Sequence, residues 1–147
     1  MTPRRRRHWF WNLLLVLSLL VCMLAFVAHY RNWTRLQPDR MQLLSGLYFL
    51  ELPYAEIDSL VWKEKMPHME REHGFSAGAR EKGVFRDSLN PGYRVRVFVD
   101  NLRHPKIKIR YRDSLTLYLN FADSTETVSM FRLLEQKIQE RNNPIPQ

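Results

Sequence analysis

The sequence predicts a mainly β domain that follows a single N-terminal membrane-spanning helix. Three observations support this fold class. An uncharged apolar run occupies residues 10–28, short segments after residue 45 alternate apolar and polar residues, and a helical period appears only near the C-terminus. The part of this 147-residue chain that follows the apolar run is long enough to bury one small hydrophobic core.

The positive charge of the chain is concentrated in a few places. Lys and Arg number 23 against 15 Asp and Glu, a net charge of +8, but no acidic residue precedes Asp39. From residue 31 onward there are 19 basic and 15 acidic residues, which leaves only +4. The high total is therefore no argument for nucleic-acid binding, and an apolar content of 45% excludes a disordered tail protein.

Residues 10–28 are predicted to cross a membrane as one helix. At about 1.5 Å per residue the run spans roughly 28 Å, close to the ~30 Å hydrocarbon core. Three polar but uncharged residues interrupt it: Asn12, Ser18 and Cys22. Amphipathic rings flank both ends, as in an interfacial belt: Trp9, Trp11, Tyr30 and Trp33.

Two alternatives compete with an uncleaved anchor. A cleaved signal peptide has an apolar region of about 7–15 residues and ends in a small-x-small site, whereas Phe26-Val27-Ala28 places a bulky residue there. A lipidated Cys22 would need a small residue before it, and Val21 stands in that place. The sequence favours an uncleaved anchor, and the single Cys can form no internal disulfide.

Basic residues flanking the helix predict its orientation. Those before it are Arg4, Arg5, Arg6 and Arg7, and those after it are Arg31, Arg35 and Arg40. The count is nearly even, but the four clustered Arg beside the N-terminal amine are costly to translocate, which favours a cytoplasmic N-terminus. We therefore expect a single-pass protein of the inner (cell) membrane, with its domain outside the cytoplasm.

The chain divides into five predicted regions. They are a basic tail (1–9), the membrane helix (10–28), a polar connector (29–44), the β domain (45–142) and a frayed tail (143–147). The last region contains two prolines, which forbid a regular helix.

Seven strands and one helix are predicted within the domain. The strands are expected at 46–52, 57–63, 69–75, 77–85, 93–99, 106–112 and 115–121. Asp123 and Glu126 then form a capping-box pattern ahead of a helix of about 17 residues with one apolar stripe. Strands that follow one another without helical crossovers predict an antiparallel meander, here a partly open barrel capped by the helix.

Short motifs occur in a fixed order along this domain. They are Leu52-Pro53-Tyr54-Ala55-Glu56-Ile57, Met66-Pro67, Gly74, Gly78, Lys82-Gly83-Val84-Phe85, Val97-Phe98-Val99, Ile107-Lys108-Ile109, Leu119-Asn120-Phe121-Ala122-Asp123, Thr127 and Leu133-Leu134. In this order they resemble the pleckstrin-homology (PH) superfold, and more specifically the bacterial PH-like domains of small membrane proteins. Several such proteins carry two membrane helices before the domain, whereas this chain has one.

The resemblance implies a non-catalytic domain that binds a membrane surface, a peptide or a protein. Eukaryotic members that bind inositol phosphates use a basic loop between the first two strands. Here that loop, Pro53-Tyr54-Ala55-Glu56, contains no Lys or Arg, so we do not expect that kind of phosphoinositide binding.

A basic face is the main candidate site. Residues 86–112 carry a net +6, whereas residues 51–81 carry a net −3. If strands 93–99 and 106–112 pair as a hairpin, six outward cations share one face: Arg94, Arg96, Lys106, Lys108, Arg110 and Arg112. Such a face could bind anionic lipid headgroups or an acidic protein partner. The competing interpretation is a solvated surface whose Lys and Arg discourage edge pairing.

Other functions find less support in the sequence. The five-residue spacing of His68 and His73 puts their rings on opposite faces of a strand, and nucleophile-elbow or phosphate-loop motifs are lacking. We therefore expect no enzyme, no cofactor, no metal and, since Phe98 is the one ring on the basic face, no nucleic acid. A structural or assembly subunit acting through its anchor helix is the alternative function, although that helix lacks a small-xxx-small stripe.

Overall fold

Nine β-strands lie between an N-terminal and a C-terminal α-helix in the described part of the chain. The computed structural model describes residues 5–90 and 92–143, and the side chains of all these residues except 5–7. The elements in chain order are α1 (Arg5–Tyr30), β1 (Asn32–Leu36), β2 (Arg40–Ser45), β3 (Tyr48–Pro53), a 3-10 helix (Tyr54–Glu56), β4 (Ile57–Lys63), β5 (Met69–Ala77), β6 (Arg80–Asp87), β7 (Arg94–Val99), β8 (Lys106–Tyr111), β9 (Leu115–Asn120) and α2 (Ser124–Asn142). The mainly β class with a helix at each end is confirmed.

The α1 helix is a candidate membrane anchor, as predicted. Its segment His8–Tyr30 is long and apolar enough to cross a membrane, with a mean hydropathy of 2.5 and no buried residue. The helix continues two residues beyond the predicted boundary at Ala28, so His29 and Tyr30 are helical. Residues 1–4 of the basic tail and 144–147 of the predicted frayed tail lie outside the described residues.

The prediction of a connector at residues 29–44 is wrong, because β1 and β2 occupy most of it. The turn between these strands contains the predicted break at Pro38, and the Gln37 amide donates to the Arg40 carbonyl at 2.9 Å. Met41 and Leu43 point inward and are fully buried. Gln42, one of the polar residues that suggested a connector, lies between them along β2, so this part of the segment belongs to the core.

The strands form two sheets. β1, β2 and β3 make an antiparallel three-stranded sheet, and the second sheet has the order β4-β8-β9-β7-β6-β5. Each of the seven predicted strands overlaps one of β3–β9, but nine strands are present and the antiparallel meander is wrong. β9 lies between β7 and β8: it follows β8 through a tight turn and pairs with it antiparallel, and its other edge pairs with β7 in parallel.

The six-stranded sheet buries a different cluster on each face. Its inner face, defined by residues such as Phe98 and Leu117, packs against the three-stranded sheet and α2. Its outer face carries a smaller cluster that includes Val97 and Tyr118, with Met66 of the β4–β5 segment packed against it. The inner face of this sheet is therefore covered by the three-stranded sheet and α2, whereas its outer face is covered only in part.

The C-terminal helix α2 forms as predicted. Asp123 is its N-cap and accepts a hydrogen bond from the Thr125 amide at 2.8 Å. The predicted stripe faces the core, with Met130 and Leu134 buried. Glu126 lies 3.6 Å from Arg31 at the exit of α1, so the predicted capping-box partner contacts a different group.

The end of α1 is attached directly to the domain. Arg80 Nε donates to the Tyr30 carbonyl at 2.8 Å, and its guanidinium carbon lies 4.0 Å from the centroid of the Tyr30 ring. The His29 and Phe75 rings meet edge to face, with centroids 5.5 Å apart. Only Arg31 separates α1 from β1, so helix and domain are joined without a flexible linker.

A buried polar network holds the first residue of β1. Asp100 Oδ2 accepts the Asn32 amide at 2.8 Å, and its Oδ1 lies 2.8 Å from Lys82 Nζ, with both charged side chains 1% exposed. The Asn32 side chain donates to the Asn120 carbonyl at 2.8 Å and accepts from Ser45 at 2.6 Å. Burial lowers the pKa of Lys82, against the opposing effect of Asp100. The network ties β1 to three strands of the larger sheet and to β2.

We predict that breaking this network is costly to stability. Lys82→Met or Asp100→Ala leaves an uncompensated buried charge and should lower the free energy of unfolding by about 3–5 kcal/mol. Lys137→Met is the matched control, because its 3.1 Å pair with Glu140 is exposed and should matter by no more than about 0.5 kcal/mol. Denaturant unfolding of the full chain in detergent, followed by circular dichroism, measures all three. Equal effects for Lys82→Met and Lys137→Met would contradict the prediction.

Candidate binding site

The six cations predicted to share one basic face lie on both faces of the six-stranded sheet, so that arrangement is wrong. β9 separates β7 from β8, and the assumed hairpin does not form. The register places Arg96 beside Leu117 on the inner face and Lys108 beside Tyr118 on the outer face. Alternation along the strands then divides the set into Arg94 and Arg96 (inner), Lys106, Lys108 and Arg110 (outer), and Arg112 in the β8–β9 turn.

Lys106 is buried, not displayed. Lys106 is 2% exposed. Its Nζ donates to the Leu102 carbonyl at 2.6 Å and to the Glu64 carbonyl at 3.3 Å. Burial lowers the pKa of Lys106, with the charge of Glu64 opposing the shift. These contacts fasten the β4–β5 segment to the β7–β8 loop, so Lys106 acts on the fold and is not presented to a ligand.

Three further cations lie away from the outer face and near acidic or buried groups. Arg94 reaches Glu72 at 3.2 Å, and Arg112 bonds Glu56 beside the 3-10 helix. The pair with Glu56 raises the pKa of Arg112, which stays fully charged. Arg96 is half-buried on the inner face.

Lys108 and Arg110 line a cleft of about 230 Å³ on the outer face. Strands β7, β8 and β9 form its floor, and the start of β5 forms one wall. Among the described residues that line it, Asp87 is the one acid, so the local balance is positive. The lining also includes Met69, Tyr93, Thr116 and Tyr118.

The cleft presents hydrogen-bond donors beside its positive charges. The ring of Tyr118 is 6.0 Å from Lys108 Nζ, and burial raises the pKa of Tyr118 with a further contribution from Asp87. The phenol is therefore neutral at physiological pH and can donate a hydrogen bond. Arg110 donates to the Asp113 carbonyl at 3.3 Å, which holds its guanidinium at the rim of the cleft. This combination suits an anionic group such as a carboxylate or a phosphate.

Sequence reasoning identified the two cations of the cleft but missed its other residues. Thr116 and Tyr118 alternate with the core residue Leu117, and this alternation was the available signal that they share a face. Met69 and Asp87 come from β5 and β6, and nothing in the sequence indicated that these strands reach the same face as β8.

The remaining predicted residues are placed as follows. Arg4 lies outside the described residues; Arg5, Arg6 and Arg7 lie in the first turns of α1, and their side chains are not described. Across residues 5–90 and 92–143, no group of three or more His, Cys, Asp and Glu residues is arranged to hold a metal ion.

No protein-family model, curated protein or solved structure matches this chain. The resemblance to PH-like domains therefore stays an expectation drawn from short motifs. What the cleft binds has to be inferred from its own geometry and charge.

Proposed function

We propose that this protein is a membrane-anchored, non-catalytic binding domain whose outer-face cleft takes an acidic segment of a protein partner. The observation that carries this proposal is the pair Lys108 and Arg110 in a cleft where Asp87 is the one acid among the described lining residues. Charge-assisted hydrogen bonds from two cations are about twice as strong as neutral ones and suit a carboxylate.

The size of the cleft favours side chains of a peptide over a small molecule. Pockets for drug-sized ligands measure about 300–1,000 Å³. The volume here is about 230 Å³, and one side is open to solvent. An extended segment could place one or two acidic side chains in it while the rest of the segment crosses the surface.

The position of the cleft favours a protein over the lipid headgroups next to the anchor. α1 meets the sheet near Asp100 and Asn120, at the ends of β7 and β9. Val95 and Thr116, which line the cleft, precede these residues by five and four positions. At ~3.3 Å per residue the cleft is therefore roughly 13–17 Å along the strands from the helix exit.

The proposal includes a single-pass anchor with a cytoplasmic N-terminus and a domain outside the cytoplasm. The clustered Arg4–Arg7 and the apolar α1 support it. It also includes kinship with bacterial PH-like domains, supported by the order of β3–β9 and a C-terminal helix. The two additional strands and the parallel β7–β9 pair are departures from the PH meander.

We predict that cleft mutations reduce binding of acidic peptides. The full chain in nanodiscs is used to select from a library of random peptides, and the selected peptides should be enriched in Asp and Glu. Lys108→Glu or Arg110→Glu should weaken their binding by about tenfold or more, because each removes a charged hydrogen bond worth about 1.5–3 kcal/mol. Arg132→Glu, on the exposed side of α2, makes the same charge change away from the cleft and should leave affinity nearly unchanged.

Two results would count against this function. Equal loss in Arg132→Glu would mean that the net charge matters and the cleft does not. Unchanged function of the protein in cells after Lys108→Glu and Arg110→Glu, combined with loss of function when residues 10–28 are replaced by an unrelated apolar helix, would favour the assembly subunit.

We predict the orientation separately. In intact cells whose outer barrier has been made permeable, an added protease should digest the domain and leave the N-terminal tail protected. The clustered Arg residues determine this result, because they are retained on the cytoplasmic side. Protection of the domain, with digestion only after cell lysis, would reverse the orientation.

A further inference from the structure

An exposed leucine lies beside the exit of the anchor helix. Leu47, in the turn between β2 and β3, is 81% exposed. Its neighbour Gly46 packs on the ring of His29, where a Cβ on the glycine would come within 2.9 Å of the imidazole Cδ2. Because His29 belongs to the last turn of α1, this contact holds Gly46, and with it Leu47, beside the C-terminal end of that helix.

Three more apolar side chains form a row on the outward face of the three-stranded sheet. The register pairs Trp33 with Leu44 and Leu44 with Phe49, so the three are cross-strand neighbours. Their exposed fractions are 47%, 40% and 57%. Four large apolar groups therefore face outward next to α1, whereas Met41, Leu43, Leu50 and Leu52 on the opposite face of the same sheet are buried.

The distance from the helix end places this surface near the membrane boundary. Trp33 follows Tyr30 by three residues, so their Cα atoms are at most about 11 Å apart whatever direction β1 takes. A bilayer of ~40–45 Å with a ~30 Å core has an interfacial zone of about 5–8 Å on each side. Leu47 and Trp33 are thus within reach of that zone.

The charges around this surface suit headgroups. Arg31 is exposed, its guanidinium carbon lies 5.2 Å from the Trp33 ring centroid, and its terminal nitrogen lies 3.6 Å from Glu126. Arg35, at the following outward position, is also exposed. An aromatic ring with a nearby cation is the side-chain combination typical of membrane interfaces.

We propose that the β2–β3 turn and the row Trp33–Leu44–Phe49 form a second membrane contact, in which Leu47 inserts into the interfacial zone of the bilayer that α1 crosses. The inference rests on the proposed anchoring by α1. With two contacts and a rigid junction between them, the domain is held at one tilt relative to the membrane, and the cleft is presented in a fixed direction.

The test measures the depth of a fluorescent label in the full chain reconstituted in nanodiscs. The label is attached to the native Cys22 in one sample, and to Leu47→Cys or Leu89→Cys in a Cys22→Ala background in two others. Leu89 is the matched control, since it is 85% exposed in the loop between β6 and β7. Brominated lipids quench labels in the bilayer, and iodide quenches labels in water. We expect the label at position 47 to be quenched several-fold more by brominated lipid than the label at position 89, with the reverse order for iodide.

Each outcome separates the two proposals. If the Cys22 label is quenched by lipid while positions 47 and 89 behave alike, the membrane contact is wrong and the anchor stands. Shielding of position 47 from both quenchers would indicate a protein neighbour, such as a second copy, and would also overturn the contact. A Cys22 label that lipid does not quench would overturn the anchoring itself.

Discussion

The carboxylate of Asp100 joins α1 to the β domain. It accepts the amide of Asn32, the second residue after α1, and pairs with the buried ammonium of Lys82. Removing two charges from water is expensive, and a well-packed apolar pair in their place is often as stable. The network matters because the loss of either partner would leave the other charge buried without a counter-charge. If Asn32 moved away from its partners, their buried polar groups would lose their hydrogen bonds. Because this is costly, the end of α1 is held in one position.

Two features of the surface depend on that fixed exit. The outer-face cleft with Lys108 and Arg110 lies at the far end of the strands, whereas the turn at Leu47 lies beside the helix. The parallel pairing of β7 with β9 decides which side chains line the cleft, because it places β9 between the two basic strands. A domain attached by a flexible linker could show either surface to the membrane. The direct junction fixes the direction of both surfaces relative to α1.

The local patterns in the sequence predicted the elements better than their arrangement. Apolar runs and alternation located α1, seven of the strands and α2, because burial imposes these periods on each segment alone. The same patterns could not pair the strands: whether β8 lies beside β7 or β9 is decided by contacts between distant segments. For this reason the sequence predicts one shared face for Arg94 and Lys108, which lie on opposite faces of the sheet. Lys106 and Lys82 were missed as buried residues, since a lysine that is paired or hydrogen-bonded in the interior has the same local pattern as one in solvent.

The central claim is that α1 and the domain move as one body through the Asn32–Asp100–Lys82 network. A pulsed electron–electron double resonance measurement tests it directly, with one spin label on Cys22 and the other at Glu135→Cys on the exposed side of α2. The rigid junction predicts a single narrow distance distribution in nanodiscs, which broadens when Asp100→Ala removes the acceptor of the Asn32 amide and the partner of Lys82. A broad distribution in the otherwise unaltered chain would contradict the claim, since the domain would then turn freely about the end of α1.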